Sequence, residues 1–397
     1  MNKVILAFSG GLDTSFATLY LRENNYDVIT VCVNTGGFSE KKLKQIEERA
    51  YQLGSKKHYN IDAQEKIFST IIQYVIKFNA LYQDDYPLMC ADRYVIAEEI
   101  LNIAKKENAK AVAHGSTSIG NDQVRFNSAF LSLDPNITIL EPIKELGITR
   151  DKEIEYLEQR GFEVPVSTSK YSINENIFGR TVSGSEVDEN KEPDNIAYEL
   201  SKISNDISIN DKEYVSIEFD KGIPVKIDGI EYSGIEMIQL LNKKAGKFGI
   251  GSRIYTGDCI IGIKGRIMFE APGLFTLIEA HRKLQQLTLT KKQQEFLKFA
   301  SSYWTDLVYS GLYFEPLTKN LEIFVDSMES MVSGIVKVKL QPNKVEVVEY
   351  ESENSLIDFD IATYAQKSSW DAQQVNGFIK LYTLGEVIAN KRMKKND

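Results

Sequence analysis

The chain has 397 residues, of which 43% are hydrophobic, and this length and composition predict two or three globular domains with true hydrophobic cores. Its formal net charge of −9 at pH 7 argues against a nucleic-acid-binding protein, because phosphate backbones attract clustered Lys and Arg. Three widely spaced cysteines exclude a CxxC zinc site and a disulfide framework. No apolar run approaches a signal-peptide core or the ~20 residues of a membrane span, so we expect a soluble cytoplasmic protein without a membrane partner.

The first feature along the chain is a glycine-rich loop at residues 9–15, Ser-Gly-Gly-Leu-Asp-Thr-Ser, between an apolar run at 4–8 and a helical segment starting at Phe16. A strand, a glycine turn and a helix with hydroxyls in its first turn favour a phosphate site, because orphan N–H groups and the positive end of the helix dipole face the anion. The loop lacks the Lys-Ser/Thr ending of a Walker loop and the spaced glycines of a dinucleotide fingerprint. It resembles the pyrophosphatase loop of enzymes that cleave ATP between its α and β phosphates. An ordinary capped turn is the alternative.

The next 100 residues alternate between apolar strands and amphipathic helices, which predicts a parallel sheet. The strands are expected at 28–33, 57–61 and 109–113, and the helices at 39–53, 64–77 and 94–106. Ligands of open α/β sheets bind at the carboxyl ends of the strands. We therefore expect residues 9–15, 34–36 and 114–125 to converge on one crevice.

After residue 161 the pattern changes, and a second α/β domain is predicted. We expect a long exposed loop at 183–210, strands at 214–219, 224–227, 253–261, 333–340 and 344–348, and helices at 234–244 and 274–310. An apolar stripe of Phe378, Leu381, Tyr382 and Ile388 lies near the C-terminus. It is expected to pack on its own domain or on another subunit.

The segment 114–126 concentrates polar residues directly after a strand. Gly115 would let the backbone approach a nucleotide. Thr117, Asn121 and Asp122 could hold an amino acid, and Arg125 could clamp a carboxylate or phosphate. An Asx-rich connection with capping roles is the alternative.

With this segment the chain strongly resembles the argininosuccinate synthase family. The likeness runs through 9–15, 113–115, 120–126, 171–176, 262–266, 307–312 and 377–382, and so covers nearly the whole chain. It implies an α/β fold with an ATP-binding, parallel-sheet PP-loop domain at 1–165. A synthetase and multimerisation domain at 166–373 and a C-terminal oligomerisation helix at 374–397 would follow.

The resemblance also implies a ligase of arginine biosynthesis. ATP, with Mg²⁺, would adenylate the ureido oxygen of citrulline and release pyrophosphate, and the aspartate amino group would then expel AMP. A homotetramer is implied as well. Two alternatives stay open: another adenylating enzyme of the same loop class, such as a nucleotide or tRNA modifier, and a non-catalytic nucleotide-binding regulator.

Site residues carry over position by position. The implied ATP contacts are Ala7, Phe8, Ser9, Gly10, Gly11, Leu12, Asp13, Thr14, Ser15, Val33 and Gly115; the aspartate contacts are Thr117, Asn121 and Asp122; and the citrulline contacts are Tyr86, Asn121, Arg125, Ser172 and Thr181. No metal ligand and no general base is assigned. We expect His114 to be structural, His58 to lie at the surface and His281 to sit in a helix without an identified partner.

Departures from the family pattern cluster at the citrulline head group. Cys90-Ala91 replaces Thr-Ser, Ile119 replaces Lys, Thr181 replaces Ser, Ser183 replaces Glu, Gly257 replaces the Glu that receives the citrulline amino group, and Phe269 replaces its partner Tyr. Random drift is one explanation. The other is an acceptor whose α-nitrogen is acylated and uncharged, since a buried carboxylate without a partner would cost several kcal/mol.

Arg93 adds to this acyl hypothesis, because the family has no charge at that position. It could bind the carboxylate of an acyl arm such as that of N-succinylcitrulline, for which Gly257 and Ala91 would make room. A helix-surface ion pair of Arg93 with Asp92 or Glu98 is the alternative. Free and N-acylated citrulline both remain open.

Overall fold

A computed structural model describes residues 2–116, 120–164, 170–364 and 367–394. These residues fall into two units, one ending at Asn354 and one starting at Ser355. The first unit opens with five strands: β1 (Asn2–Ala7), β2 (Tyr26–Asn34), β3 (Lys57–Asp62), β4 (Ala111–Ala113) and β5 (Thr138–Leu140). They form a parallel sheet, as the sequence predicted, and the strand order is β3-β2-β1-β4-β5.

Both faces of this sheet are buried, which explains the continuous apolar run of its central strand. Val4, Ile5 and Leu6 of β1 are fully buried, with Ile5 in one hydrophobic cluster and the other two in a second. The helices of this part are α1 (Leu12–Glu23), α2 (Glu40–Gln52), α3 (Gln64–Ile67), α4 (Gln73–Lys77), α5 (Asp92–Glu107), α6 (Asn121–Leu133), α7 (Pro142–Leu146) and α8 (Arg150–Glu158). A π-helical turn at Phe68–Ile72 joins α3 to α4.

The rest of the first unit contains two antiparallel sheets. The strands are β6 (Ser172–Asn176), β7 (Gly179–Ser183), β8 (Glu213–Asp220), β9 (Ile223–Ile227), β10 (Ile230–Glu231), β11 (Ser252–Asp258), β12 (Lys264–Glu270), β13 (Gly334–Gln341) and β14 (Lys344–Glu351). Their orders are β11-β12-β7-β6 and β10-β9-β8-β13-β14. The helices are α9 (Gly234–Gly246), α10 (Pro272–Thr288), α11 (Lys291–Tyr309) and α12 (Pro316–Glu329). One apolar cluster runs from Ile5 of the parallel sheet to Val338 of β13, so these parts share a core.

Three predicted segments differ from the structure. The stretch 274–310 is two helices, because Thr290 caps α11 in a reciprocal capping box with Gln293. Residues 121–125, expected in a loop, form the first turns of α6. The segment 183–210 is not exposed throughout, because two 3₁₀ turns bury Val187 and Ala197 in a small apolar cluster.

One histidine prediction was also wrong. His58 is buried and hydrogen-bonds Thr30 Oγ1 at 2.8 Å, although lysines flank it in sequence. His281 lies in a helix, as expected, and is fully buried 2.9 Å from Glu329 Oε2 and 3.0 Å from Asn79 Oδ1. Thr30, Glu329 and Asn79 are each far in sequence from the histidine that they contact, so periodicity alone does not reveal these contacts.

The second unit consists of a small hairpin and two helices. The elements are β15 (Ala362–Thr363), β16 (Lys367–Ser368), α13 (Ala372–Tyr382) and α14 (Leu384–Met393). Neither helix has a buried residue. In the described part of the chain no helix is both long and apolar enough to cross a membrane.

Candidate active site

The three segments expected to converge do line one cleft, with a volume of about 1680 Å³. Residues 9–14 follow β1, Thr35 and Gly36 follow β2, and His114 and Gly115 follow β4. Since parallel strands end at the same edge of the sheet, the topology alone places these loops together. The start of α6 and the β6–β7 hairpin supply further walls.

Nearly every residue expected to bind substrate lies on this cleft. The lining includes Ala7, Phe8, Ser9, Gly10, Gly11, Leu12, Asp13, Thr14, Val33, Tyr86, Arg93, Gly115, Asn121, Asp122, Arg125, Ser172 and Thr181. Ser15 is the exception: its side chain is buried inside α1 and is not part of the lining. Thr117 lies outside the described residues.

The glycine-rich loop leaves the N-terminus of α1 open to the cleft. Gly10 has φ +75°, a left-handed conformation that glycine adopts without strain. Gly11 is the N-cap and provides no side chain to satisfy the first-turn N–H groups. The hydroxyls of Ser9 and Thr14 lie 3.5 Å apart beside them. Backbone donors, hydroxyls and the helix dipole therefore form a seat for an anion.

Further groups surround this seat. Gly115 lies so close to α1 that a Cβ there would stand 3.2 Å from Asp13 Cβ and 3.3 Å from Thr14 Cγ2. Lys42 of α2 and Arg150 of α8 also line the cleft. These two cations were missed from sequence, because each comes from a separate helix whose own pattern is that of a solvent-facing surface.

The opposite end of the cleft is organised by Asp122. Arg125 Nη1 donates to Asp122 Oδ1 at 2.8 Å and Arg93 Nε donates to Asp122 Oδ2 at 3.0 Å. Burial alone would raise the pKa of Asp122, but the two guanidinium groups hold it below its ordinary value. Arg125 is itself fixed by donating to the Tyr309 carbonyl at 2.9 Å.

Arg93 is not the helix-surface residue that the alternative interpretation required. Its side chain is only 14% exposed, and besides Asp122 it donates to Asp92 Oδ1 at 2.7 Å and to Asn174 Oδ1 at 3.4 Å. Asp92 is among the anticipated partners. Glu98, the other anticipated partner of Arg93, pairs with Lys66 instead.

Three tyrosine rings, those of Tyr82, Tyr86 and Tyr309, pack together beside Arg125. The rings of Tyr82 and Tyr309 stack with centroids 3.6 Å apart, and Arg125 lies over Tyr309 at 4.8 Å. Asn121 Nδ2 donates to Tyr309 Oη at 3.2 Å, while its Oδ1 accepts from Ile260 N at 3.0 Å. Tyr86 is buried, which raises its pKa well above the ordinary value. The phenol groups of these tyrosines therefore stay uncharged and can act as polar contacts.

The space expected at Gly257 and Ala91 is not there. A Cβ built at Gly257 would collide with the Tyr255 hydroxyl and the Gln83 amide oxygen, which already fill that volume. Ala91 is fully buried and does not line the cleft. Gly257 and Ala91 therefore do not provide the room that was expected for an acyl arm.

His114 has the structural role expected of it. Its Nε2 lies 2.8 Å from Asn127 Oδ1, and its Nδ1 accepts from Ser116 N at 3.2 Å. Burial lowers its pKa. The ring therefore orients the loop after β4 toward α6.

Comparison with known proteins agrees with this geometry. Two family models match, the Arginosuccinate synthase N-terminal HUP domain over residues 3–163 and the Arginosuccinate synthase C-terminal domain over residues 171–389. An argininosuccinate synthase of Pyrococcus furiosus is 43% identical over 390 residues, covering 98% of this chain and 94% of its own. The enzyme of Sulfurisphaera tokodaii is 39% identical, covering 98% and 99%, and that of Oceanobacillus iheyensis is 41% identical, covering 96% and 92%.

Proposed function

This chain belongs to the argininosuccinate synthase family, a family of ATP-dependent ligases of arginine biosynthesis, and from that premise we propose that it joins aspartate to a ureido acceptor of the citrulline type through an adenylated intermediate. The observation that carries the proposal is the single cleft that joins an anion seat at the N-terminus of α1 to the charged cluster around Asp122.

In the first step the ureido oxygen attacks the α-phosphorus of ATP, and the bond to the β-phosphate oxygen breaks. Pyrophosphate carries the leaving charge, so N–H donors and hydroxyls at Ser9, Gly11 and Thr14 would stabilise the transition state. No group of three or more His, Cys, Asp or Glu side chains suited to a metal occurs among the described residues. We therefore expect Mg²⁺ to enter on the phosphates, where it would neutralise part of this charge.

In the second step the aspartate amino group attacks the activated carbon, AMP leaves with the former ureido oxygen, and the new nitrogen loses a proton. Asn121 and Asp122, with Thr117, are proposed to hold aspartate, and Tyr86, Arg125, Ser172 and Thr181 to hold the acceptor. The nucleotide would contact residues 7–15, Val33 and Gly115. Catalysis would depend on positioning and electrostatics, since no general base is assigned.

For the acceptor we propose a citrulline whose α-nitrogen is acylated, with N-succinylcitrulline as the leading candidate. Support comes from charge, because Gly257 stands where the family has a Glu, and Arg93 lines the cleft as a donor in the network of Asp92 and Asp122. A cationic ammonium group would lack that Glu as a partner, whereas a neutral amide needs none and an acyl carboxylate could accept a hydrogen bond from Arg93.

The test measures pyrophosphate release with ATP, aspartate and either citrulline or N-succinylcitrulline. We expect release that requires all three substrates and a higher kcat/KM for the succinylated acceptor. A tenfold preference for free citrulline would contradict the acyl proposal alone. Absence of pyrophosphate with either acceptor would contradict the ligase proposal and favour another adenylating enzyme or a nucleotide-binding regulator.

A further inference from the structure

A buried carboxyl group that no step of the reaction uses lies directly behind the nucleotide seat. Glu153, on α8, is only 3% exposed and hydrogen-bonds the side chain of Asp13 in the glycine-rich loop. Its Oε2 atom is buried and accepts no hydrogen bond from a donor among the described residues. A buried carboxyl oxygen that accepts no hydrogen bond costs folding free energy, so its presence calls for an explanation.

Packing fixes this contact, because α8 runs beside α1. At the far end of the pair, Arg160 Nε donates to Glu23 Oε1 at 2.6 Å and Tyr156 Oη donates to Glu23 Oε2 at 2.6 Å. The rings of Phe16 and Tyr156 meet at 4.7 Å between them. With the two helices locked there, Glu153 has little freedom to withdraw from Asp13.

Two carboxyl groups in contact cannot both be ionised without strong repulsion, so one of them keeps a proton. Burial, and then the charge of Asp13, raises the pKa of Glu153 to about 8, and Arg150 offsets part of this rise. Glu153 is therefore protonated at neutral pH and can donate its O–H to Asp13. Asp13 on α1 and Arg150 on the same helix are the charged groups that act on it.

We propose that Glu153 is a positioning residue that donates its carboxyl proton to Asp13 in a hydrogen bond and so fixes that side chain at the nucleotide end of the cleft. Asp13 lines the cleft next to the anion seat, and Gly115 packs against its Cβ. When Glu153 loses its proton, its hydrogen bond to Asp13 is lost and a second negative charge lies next to the anion seat. ATP binding should then weaken.

The inference rests on the proposed use of ATP but not on the identity of the acceptor, so ATP affinity is measured alone as well as in turnover. The wild type should lose ATP affinity and kcat/KM for ATP as pH rises from 7 to 9. Glu153→Gln keeps a donor that cannot ionise, and we expect near wild-type affinity at pH 7 without the alkaline loss. Glu153→Ala removes the donor and should lower kcat/KM for ATP about tenfold at pH 7.

Glu158→Gln is the matched control, because Glu158 is exposed on the same helix, and it should keep the wild-type pH profile. An infrared band of a protonated carboxyl should titrate near pH 8 in the wild type and be missing in Glu153→Gln. An alkaline loss that persists in Glu153→Gln would overturn the proposal. So would a Glu153→Ala variant that has a lower melting temperature but unchanged ATP affinity. Wild-type protein that binds ATP but does not turn over would count against the proposed function instead.

Discussion

At the scale of single residues, the Ser9 hydroxyl is expected to serve ATP use and not folding. It stands at the open N-terminus of α1 and its contact is a 3.5 Å approach to Thr14 Oγ1, so the turn does not depend on it. Ser9→Ala should cost about 1–3 kcal/mol of transition-state stabilisation in pyrophosphate release, while the melting temperature stays nearly unchanged. Full activity of the variant would remove Ser9 from the phosphate seat.

Arg93 is expected to decide which acceptor is used. It pairs with Asp92 and Asp122, so an acyl carboxylate would join an existing charge network. Arg93→Ala should lower kcat/KM for N-succinylcitrulline about 10- to 100-fold, since a hydrogen bond to a charged group is lost. Activity on free citrulline should change far less.

Arg93→Lys is the control for this prediction, because it keeps the charge and loses the planar fork. It should recover part of the activity on the succinylated acceptor. An equal loss on both acceptors in Arg93→Ala would instead mean that Arg93 acts only by holding Asp122 in place.

Sequence could identify the site residues that lie in continuous motifs, because the motif and its place after a strand predict where they meet. The residues 9–14, Gly115, Asn121, Asp122 and Arg125 are of this kind. Lys42, Arg150 and Glu153 could not be found this way, since they are single side chains on two helices, α2 and α8, that lie outside these motifs. The filling of the space at Gly257 by Tyr255 also depends on the side-chain arrangement across β11, which spacing does not give.

At the scale of elements, the β6–β7 hairpin is docked on the end of β2 by a small polar cluster. Ile177 N donates to Thr35 O at 2.8 Å, and buried Asp92 accepts from Asn176 Nδ2 at 2.9 Å and from Thr35 Oγ1 at 3.3 Å. The hairpin carries Ser172 and Thr181 into the cleft. Its position relative to the parallel sheet therefore sets the width of the acceptor end.

Gly37 allows the β6–β7 hairpin to lie close to the end of β2, because a Cβ at this position would collide with the Glu175 carbonyl oxygen. Gly37→Ala should push the hairpin away from β2, cost about 1–3 kcal/mol of stability as overpacking does, and raise KM for the acceptor more than for ATP. Gly385→Ala, where a Cβ meets nothing within 4 Å, is the control and should leave KM for the acceptor and KM for ATP unchanged. Calorimetry and steady-state kinetics test this, and an unaltered acceptor KM in Gly37→Ala would contradict it.

The elements of the parallel sheet could be predicted because alternation and apolar strands report directly on burial. The start of α6 could not, since Gly120 is its N-cap and polar Asn121, Asp122 and Gln123 form its first turn, a composition equally typical of a loop. The β6–β7 hairpin was missed for a related reason. Its strand Ser172–Asn176 is mostly exposed and has no apolar alternation.

At the scale of the whole molecule, one large apolar cluster joins the parallel sheet to β13 and α10. The nucleotide end and the acceptor end of the cleft are thus carried by parts of the chain with a common core. A core substitution in either part should alter both substrate affinities, because both parts pack against the same apolar cluster. The domain boundary expected after residue 165 stays a prediction.

The remaining prediction concerns assembly, and it follows from the exposed helix α13. Val375, Phe378, Ile379, Leu381 and Tyr382 are all exposed on it, with Phe378 at 63% and Tyr382 at 75%. Such an apolar surface on one short helix is typical of a subunit contact. We expect a homotetramer in which this helix contributes to an interface. Phe378→Asp combined with Tyr382→Asp, or deletion after Asn376, should give smaller and less stable species in light scattering. Gln373→Asp, on the opposite face of α13, makes the same neutral-to-acidic change and should leave the assembly intact. A stable monomer of the intact protein would show that the apolar face of α13 has another purpose.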